Sequence, residues 1–214
     1  MLDIKQFRRL AVCGGKDALK DSVGIAIAGG MFSFVFGVLA LHHGFRFIEA
    51  FVMNTGVYAG ALQMISIPFW NQHPLPTLSL VSLAFMVCMR YVLMGMVMQS
   101  KLNGLTGWKI YIALFFVADE NWALTVIKSK THTNEAYLYG YFLVSGLFFY
   151  FFWVLFGWMG MVLAPLIKHP ESFGLDFAFL AVFFAMLVAF WRGKNDWLPI
   201  VVAAIAALSV ETVL

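Results

Sequence analysis

Long apolar stretches separated by short polar turns divide this chain. A membrane-spanning helix needs about 20 mostly apolar residues, and seven stretches approach or exceed that length. We predict spans at residues 22–41, 47–70, 77–99, 110–127, 136–167, 177–191 and 197–210. The fifth stretch is long for one crossing, which predicts a tilt or a kink. The sixth and seventh are short and are joined by the polar turn "RGKND".

The basic residues orient these spans. With seven crossings, one side collects the N-terminus, the turn at 71–76 and the loops that contain Lys128/Lys130 and Arg192/Lys194. Because cytoplasmic loops are enriched in Lys and Arg, this side is predicted to be cytoplasmic. The opposite loops contain Arg46, Lys101, Lys109 and Lys168. If the fourth segment re-enters instead of crossing, every later loop changes side.

The first 21 residues are predicted to form a cytoplasmic or interfacial segment, and residues 22–214 a transmembrane permease domain. Ile4, Phe7 and Leu10 are spaced by three residues, which is typical of a short helix at the membrane surface. The basic stretch precedes an apolar run of full spanning length, and no small-residue cleavage site follows. A removable signal peptide is therefore not expected.

Composition supports a membrane class and excludes several others. Of the 214 residues, 62% are hydrophobic and 12% are charged, and the mean hydropathy is +0.86; a soluble domain could not bury so much apolar surface. The net charge of +3 comes without a basic block, so nucleic acid is not an expected partner. The chain lacks a zinc-ligand spacing, a nucleophile motif and a phosphate loop, so we expect neither a cofactor nor an enzyme.

The predicted fold is therefore all-α: a polytopic integral membrane protein with about seven transmembrane helices. An internal repeat is a further hypothesis, because "GMFSFVFGVLA" from Gly30 resembles "GLFFYFFWVLF" from Gly146. Transporters often contain such repeats. Helices rich in Phe also match by chance, so both explanations stay open.

Three charged residues lie at mid-span, where lipid would oppose them. Arg90 lies in "VCMRYVLMG", while Asp119 and Glu120 lie in "ALFFVADENWALTV". A charge at that depth costs about 3 kcal/mol or more, so it needs a partner inside the protein. One of the acids is predicted to pair with Arg90. Since consecutive helical residues point about 100° apart, the other acid is left as a candidate proton carrier. A purely structural ion pair is the alternative.

The second stretch adds uncharged polarity. Asn54, Tyr58 and Gln63 occur there beside Gly56 and Gly60. Small residues allow helices to pack closely, or allow a helix to break and offer backbone groups to a ligand; both interpretations stay open. Gly29-Gly30 in the first span is a second candidate break. We expect His42 and His43 to be solvated loop residues and not metal ligands.

Together these residues could bind a free amino acid. Arg90 suits its carboxylate through a bidentate contact, and Asp119 or Glu120 suits its ammonium. Tyr58, Gln63 and Asn54 are candidates for further hydrogen bonds to a substrate. This chemistry permits a zwitterion carrier but does not demand one.

Five motifs resemble the AzlC family, the large subunits of bacterial branched-chain amino acid exporters. They are "FSFVFGVLA" (32–40), "VYAGALQMIS" (57–66), "MRYVLMG" (89–95), "ADENWAL" (118–124) and "GLDFAFLAVFFAML" (174–187). The resemblance covers nearly the whole chain. Cys88 and Tyr91 stand where the family tends to have Asn and His, and Leu62 where it tends to have Ser.

The resemblance implies export of valine, leucine, isoleucine or analogues across the bacterial plasma membrane. It also implies a small hydrophobic partner subunit of the AzlD type. Since no nucleotide-binding motif occurs, we expect secondary transport. The alternatives are a permease for another small metabolite and a non-transporting membrane scaffold. The sequence leaves open the transport direction, the coupling ion, the stoichiometry and whether residues 110–127 cross or re-enter.

Overall fold

The computed structural model describes residues 4–72, 74–99, 101–102, 108–167, 174, 197–198 and 201–202. Two compact units are distinguished, Met1–Asp176 and Phe177–Leu214. In the second unit the four described residues, 197–198 and 201–202, are helical. The predicted sixth span, most of the seventh, Lys168 and the Arg192/Lys194 turn lie outside the described residues.

Seven α-helices account for most of the described part of the first unit. They are α1 (Ile4–His42), α2 (Phe47–Gly56), α3 (Gly60–Ser66), α4 (Thr77–Gln99), α5 (Trp108–Phe115), α6 (Asp119–Lys128) and α7 (Glu135–Leu163). Short 3-10 turns, Ile67–Phe69 and Ala164–Leu166, extend α3 and α7. The all-α class of the prediction is confirmed.

Among the described residues, three segments are long and apolar enough to cross a membrane: Lys5–His42, Thr77–Gln99 and Glu135–Leu166. The other four helices are much shorter. Even α2 and α6, with 10 residues each, reach only about 15 Å, which is half of a hydrocarbon core of about 30 Å. These short helices cannot cross alone.

Helix α1 is one continuous helix of 39 residues. The basic N-terminal stretch is therefore its first part and not a separate surface helix. The predicted break at Gly29-Gly30 is also absent. A Cβ at Gly30 would lie 3.0 Å from the Phe156 ring, so this glycine permits close packing without interrupting the helix.

Helices α1 and α7 pack side by side and parallel. Near their N-termini, Gly14 faces the carbonyl of Tyr137, and Gly140 faces the carbonyl of Ala11. Near their C-termini the pairs are Gly37 with Gly157 and Gly160 with Phe34. A Cβ at Gly14, Gly37, Gly140 or Gly160 would overlap the facing carbonyl, so glycine lets the two backbones touch, as in tightly packed membrane helices. The internal repeat itself stays a prediction.

Two positions along α1 define two faces of the first unit: the N-terminal face lies at the level of Asp21, and the opposite face lies at the C-terminal end of the helix, His42. At the N-terminal face, Asp21 forms an ion pair with Lys128 at the end of α6, with Nζ and Oδ2 2.9 Å apart. The Tyr141 hydroxyl donates to the same Asp21 oxygen, also at 2.9 Å. The opposite face contains the loop between α1 and α2, where Gly44 has a φ of +87°.

Helices α2 and α3 enter and leave at that opposite face. The Trp70 ring, which follows α3, stacks on Phe45, which precedes α2, with ring centroids 4.1 Å apart. The Trp70 Nε1 donates to Glu49 Oε2 at 3.4 Å, and Asn71 lies against Gly44. Residues 47–70 therefore form a re-entrant hairpin.

Helices α5 and α6 form a second hairpin from the N-terminal face. Ala113 of α5 shares a buried cluster with Leu102, Ala18 and Leu138, while the far end of α6 is tied to Asp21 through Lys128. Between them the chain turns beside the middle of α7, where Phe116 packs on Tyr150 with ring centroids 5.3 Å apart. The segment at 110–127 therefore re-enters.

Three predicted features of the topology are thus corrected. The stretch 47–70 does not cross, and the turn at 71–76 lies at the face opposite the N-terminus. Hydropathy could not reveal this, because a segment that runs to the middle of the membrane and back has the same apolar length as a segment that crosses once. Lys101 moves to the N-terminal face, which it shares with Lys128 and Lys130. The predicted cytoplasmic location of that face remains a prediction.

Candidate functional site

Each hairpin turns at a break between two half-length helices. In the first, Val57–Ala59 is non-helical and α3 begins at Gly60; in the second, residues 116–118 separate α5 from Asp119. Glycine weakens helices, which suits a break at Gly56 to Gly60. A Cβ at Gly60 would also lie 2.6 Å from Trp153 and 2.8 Å from Phe32. Both open interpretations of these glycines, a break and close packing, therefore apply.

An amide side chain stabilises each break. The Gln63 Nε2 donates to the carbonyls of Met53 at 3.1 Å and Val57 at 3.3 Å. The Asn121 Oδ1 accepts from the Ala118 N–H at 2.8 Å, and its Nδ2 donates to the Phe116 carbonyl at 2.9 Å. Backbone groups freed inside a membrane must find partners in the protein, and these two amides supply them.

Arg90 and Asp119 form an ion pair beside the second break. Arg90 Nη1 lies 2.9 Å from Asp119 Oδ2, as the sequence predicted for one of the two acids. Asp119 is the first residue of α6, where the helix dipole favours a negative charge. Arg90 also lies over the Tyr91 ring, 5.1 Å from its centroid, and Nη2 donates to the Tyr91 hydroxyl at 3.4 Å.

Glu120 is placed differently. Its position is half-buried. Among the described residues, no cationic group lies within ion-pair distance of it. The two breaks lie close together, because the Tyr150 ring packs against both Tyr58 of the first break and Phe116 of the second.

Aromatic residues of α7 connect the breaks. The Tyr150 hydroxyl donates to the Thr55 carbonyl at 2.9 Å, just before the first break. Its ring packs edge-on against Tyr58, with centroids 5.3 Å apart, and against Phe116 of the second break. Trp153 also packs edge-on against Tyr58. Sequence reasoning missed Tyr150 and Trp153, because they lie in a helix rich in Phe and carry no mid-span charge.

Asn54 lies apart from the charged residues, between α1 and α7. Its Oδ1 accepts from Ser33 Oγ at 3.0 Å, and its Nδ2 donates to the Trp153 carbonyl at 3.5 Å. Gln63 supports the first break. Of the predicted residues, Arg90, Asp119, Glu120 and Tyr58 are the ones that the structure brings into one region. A group of three His, Cys, Asp or Glu side chains that could hold a metal ion is absent from the described residues.

Within the described residues, three long helices, two opposed re-entrant hairpins and a partly buried ion pair beside their tips define a polytopic, all-α membrane protein. The family model described as AzlC protein matches residues 24–167, which is more than half of the chain. The protein therefore belongs to the AzlC family, as its motifs predicted.

Two relatives from Helicobacter pylori, both named only as an uncharacterized membrane protein, extend the comparison. The one from strain 26695 is 24% identical over 199 residues, covering 89% of this chain and 83% of the relative. The one from strain J99 is 25% identical over the same shares. No solved structure matches the chain.

Proposed function

We propose that this protein is a membrane permease subunit that moves a small zwitterionic solute by secondary transport. The observation that carries this proposal is the Arg90–Asp119 pair, which lies where two re-entrant hairpins from opposite faces approach each other. Transporters commonly bind substrate at helix breaks near the membrane midplane. Ionisable residues at that depth are costly and typically mark a substrate or ion pathway.

The substrate class follows from the groups at this site. A planar guanidinium such as that of Arg90 binds a carboxylate through two hydrogen bonds, and Asp119 or Glu120 attracts an ammonium. A free α-amino acid carries both of these groups. Tyr58 adds a hydroxyl, and the rings of Phe116, Tyr150 and Trp153 provide apolar contacts for an aliphatic side chain. Gln63 and Asn54 hold the surrounding backbone.

Family membership directs the proposal to branched-chain amino acids, which are valine, leucine, isoleucine and their analogues. Export as the direction comes from the family alone, since alternating access is reversible. We further propose a small AzlD-type hydrophobic subunit as the partner, and the bacterial plasma membrane as the location, with the N-terminus in the cytoplasm.

The test is efflux of labelled valine from cells that lack other branched-chain exporters. The chain is expressed with and without its small partner, and Arg90→Lys and Asp119→Asn are compared with wild type at equal membrane abundance. We expect each substitution to slow efflux roughly tenfold or more, because each removes or weakens a charge-assisted contact of about 1.5–3 kcal/mol. Arg46→Lys is the matched control, because Arg46 is exposed in a loop and forms its ion pair with nearby Glu49.

Normal efflux in both Arg90→Lys and Asp119→Asn would refute the site assignment. If the wild-type chain and its small partner are well expressed but export no valine, efflux of a panel of other labelled solutes tests for a permease with a different substrate. A scaffold without transport activity predicts that both substitutions reduce assembly with the partner, while the assembled variants show no transport defect of their own.

A further inference from the structure

We propose that Glu120 carries the coupling proton, while Asp119 remains ionised as the partner of Arg90. This division of roles rests on the proposed function. It concerns two adjacent acids whose surroundings differ, although the sequence presents them as equivalent.

Asp119 is unsuited to release and take up protons. Its Oδ2 lies 2.9 Å from Arg90 Nη1, at the N-terminal end of α6. Both the guanidinium and the helix dipole favour the ionised carboxylate. Protonation of Asp119 would leave the Arg90 charge without its partner inside the membrane, which is strongly unfavourable. Asp119 therefore keeps its charge throughout a cycle.

Glu120 is not held in an ion pair of this kind. One residue further along α6, it projects about 100° around the helix from Asp119 and forms no ion pair among the described residues. A carboxylate without a cation is costly at this depth, whereas a neutral carboxylic acid is tolerated. Glu120 is thus the acid whose charge can change without breaking a contact.

The groups around Glu120 give its charge a structural effect. Arg90 of α4 and Asp119 of its own helix act on it with opposite sign. Tyr58, in the break of the other hairpin, experiences the charge of Glu120 together with Asp119, Tyr91 of α4 and Tyr150 of α7. An ionised Glu120 attracts the positive end of the Tyr58 O–H dipole, and a neutral Glu120 does so less. The proton therefore affects how strongly the tips of the two hairpins attract each other.

The proposed step transfers one proton and no electrons. The Glu120 carboxylate takes up a proton from water at one face and becomes a carboxylic acid. After the hairpins change access, the same O–H bond breaks and the proton passes to water at the opposite face. Glu120 then returns to its ionised form.

Two transport assays on the full chain, reconstituted in liposomes with its partner, separate these roles. The first measures labelled valine accumulation and proton flux driven by a pH gradient. The second measures counterflow, in which labelled valine exchanges with internal valine at equal pH and needs no net proton movement. We expect Glu120→Gln to lose accumulation and proton flux at least tenfold yet keep measurable counterflow. Asp119→Asn should lose both, and Glu120→Asp should recover part of the coupling.

Glu49→Gln is the matched control and should behave as wild type, because Glu49 lies at the face opposite the N-terminus beside Arg46. Proton-driven accumulation that survives in Glu120→Gln would overturn the proposal. Loss of counterflow in a correctly assembled Glu120→Gln would also overturn it, since Glu120 would then contact the substrate. If wild type moves no valine in either assay, the proposed function fails first, which distinguishes the two failures.

Discussion

Gln63 is a polar residue buried within an apolar stretch of the chain. It is fully buried, and its amide donates to the carbonyls of Met53 and Val57, at the end of α2 where the first break begins. The sequence predicted Gln63 as a candidate substrate contact. In the structure its nitrogen is occupied by the backbone, so its visible contribution is to hold the hairpin tip in shape.

Replacing Gln63 with Leu should destabilise the protein by about 1–3 kcal/mol, because the hydrogen bonds from Gln63 to the Met53 and Val57 carbonyls are lost. The measurement is the thermal unfolding midpoint of the purified protein in detergent. Gln99→Leu is the control, since Gln99 is exposed at the end of α4, and it should leave the midpoint unchanged. Equal midpoints for the Gln63 variant and wild type would contradict the assigned role.

Individual residues were predictable to different degrees. The Arg90–Asp119 pair was predictable, because a buried charge in lipid requires a partner and few candidates exist. Which acid pairs was not predictable, since that depends on where α6 begins. Tyr150 was not predictable either, because its hydroxyl matters only through the Thr55 carbonyl, which is 95 residues away in the chain.

Among the elements, the α1–α7 pair depends on glycine for its close approach. A side chain at Gly37 would overlap the Gly157 carbonyl, a backbone atom that cannot move independently. By contrast, a Cβ added at Gly24 on the same helix would meet no described atom within 4 Å. The two glycines therefore form a matched comparison on one helix.

Gly37→Ala should lower stability by about 1–3 kcal/mol through overpacking. Gly24→Ala should be neutral or stabilising by about 0.5–1 kcal/mol, because alanine favours a helix more than glycine does. Thermal unfolding in detergent measures both. A Gly37→Ala protein as stable as the Gly24→Ala protein would show that the helices do not touch at this point.

The half-length helices were the elements that the sequence could not resolve. Residues 47–70 satisfy the length of a span, and nothing in their hydropathy shows that the chain turns back at Tyr58. The break itself was one of two interpretations of Gly56 and Gly60, and it is present. The side on which the hairpin ends depends on the Phe45–Trp70 stack, a contact between distant residues.

At the scale of the whole molecule, the two hairpins determine which loops share a face. The structure places Gln72 on the same face as Arg46, and Lys101 on the same face as Lys130. Seven full crossings would instead separate Gln72 from Arg46 and Lys101 from Lys130. Labelling of introduced cysteines with a membrane-impermeant maleimide distinguishes these arrangements.

We expect Gln72→Cys and Arg46→Cys to react alike in intact cells, in a background where Cys13 and Cys88 are replaced by Ser. Lys101→Cys and Lys130→Cys should react only after the membrane is permeabilised, because the N-terminal face is predicted to be cytoplasmic. Gln72→Cys reacting together with Lys130→Cys would contradict the re-entrant first hairpin. Control labelling in detergent confirms that all four thiols are reactive.

The backbone contact between α1 and α7 also has a mechanical consequence. Sliding one helix along the other would place larger side chains, in place of Gly14, Gly37, Gly140 and Gly160, against the facing carbonyls. The pair consequently behaves as a rigid strut that resists shear. Among the described helices, a motion that exposes Arg90 and Asp119 to one face and then to the other would therefore have to come from α4 and the two hairpins.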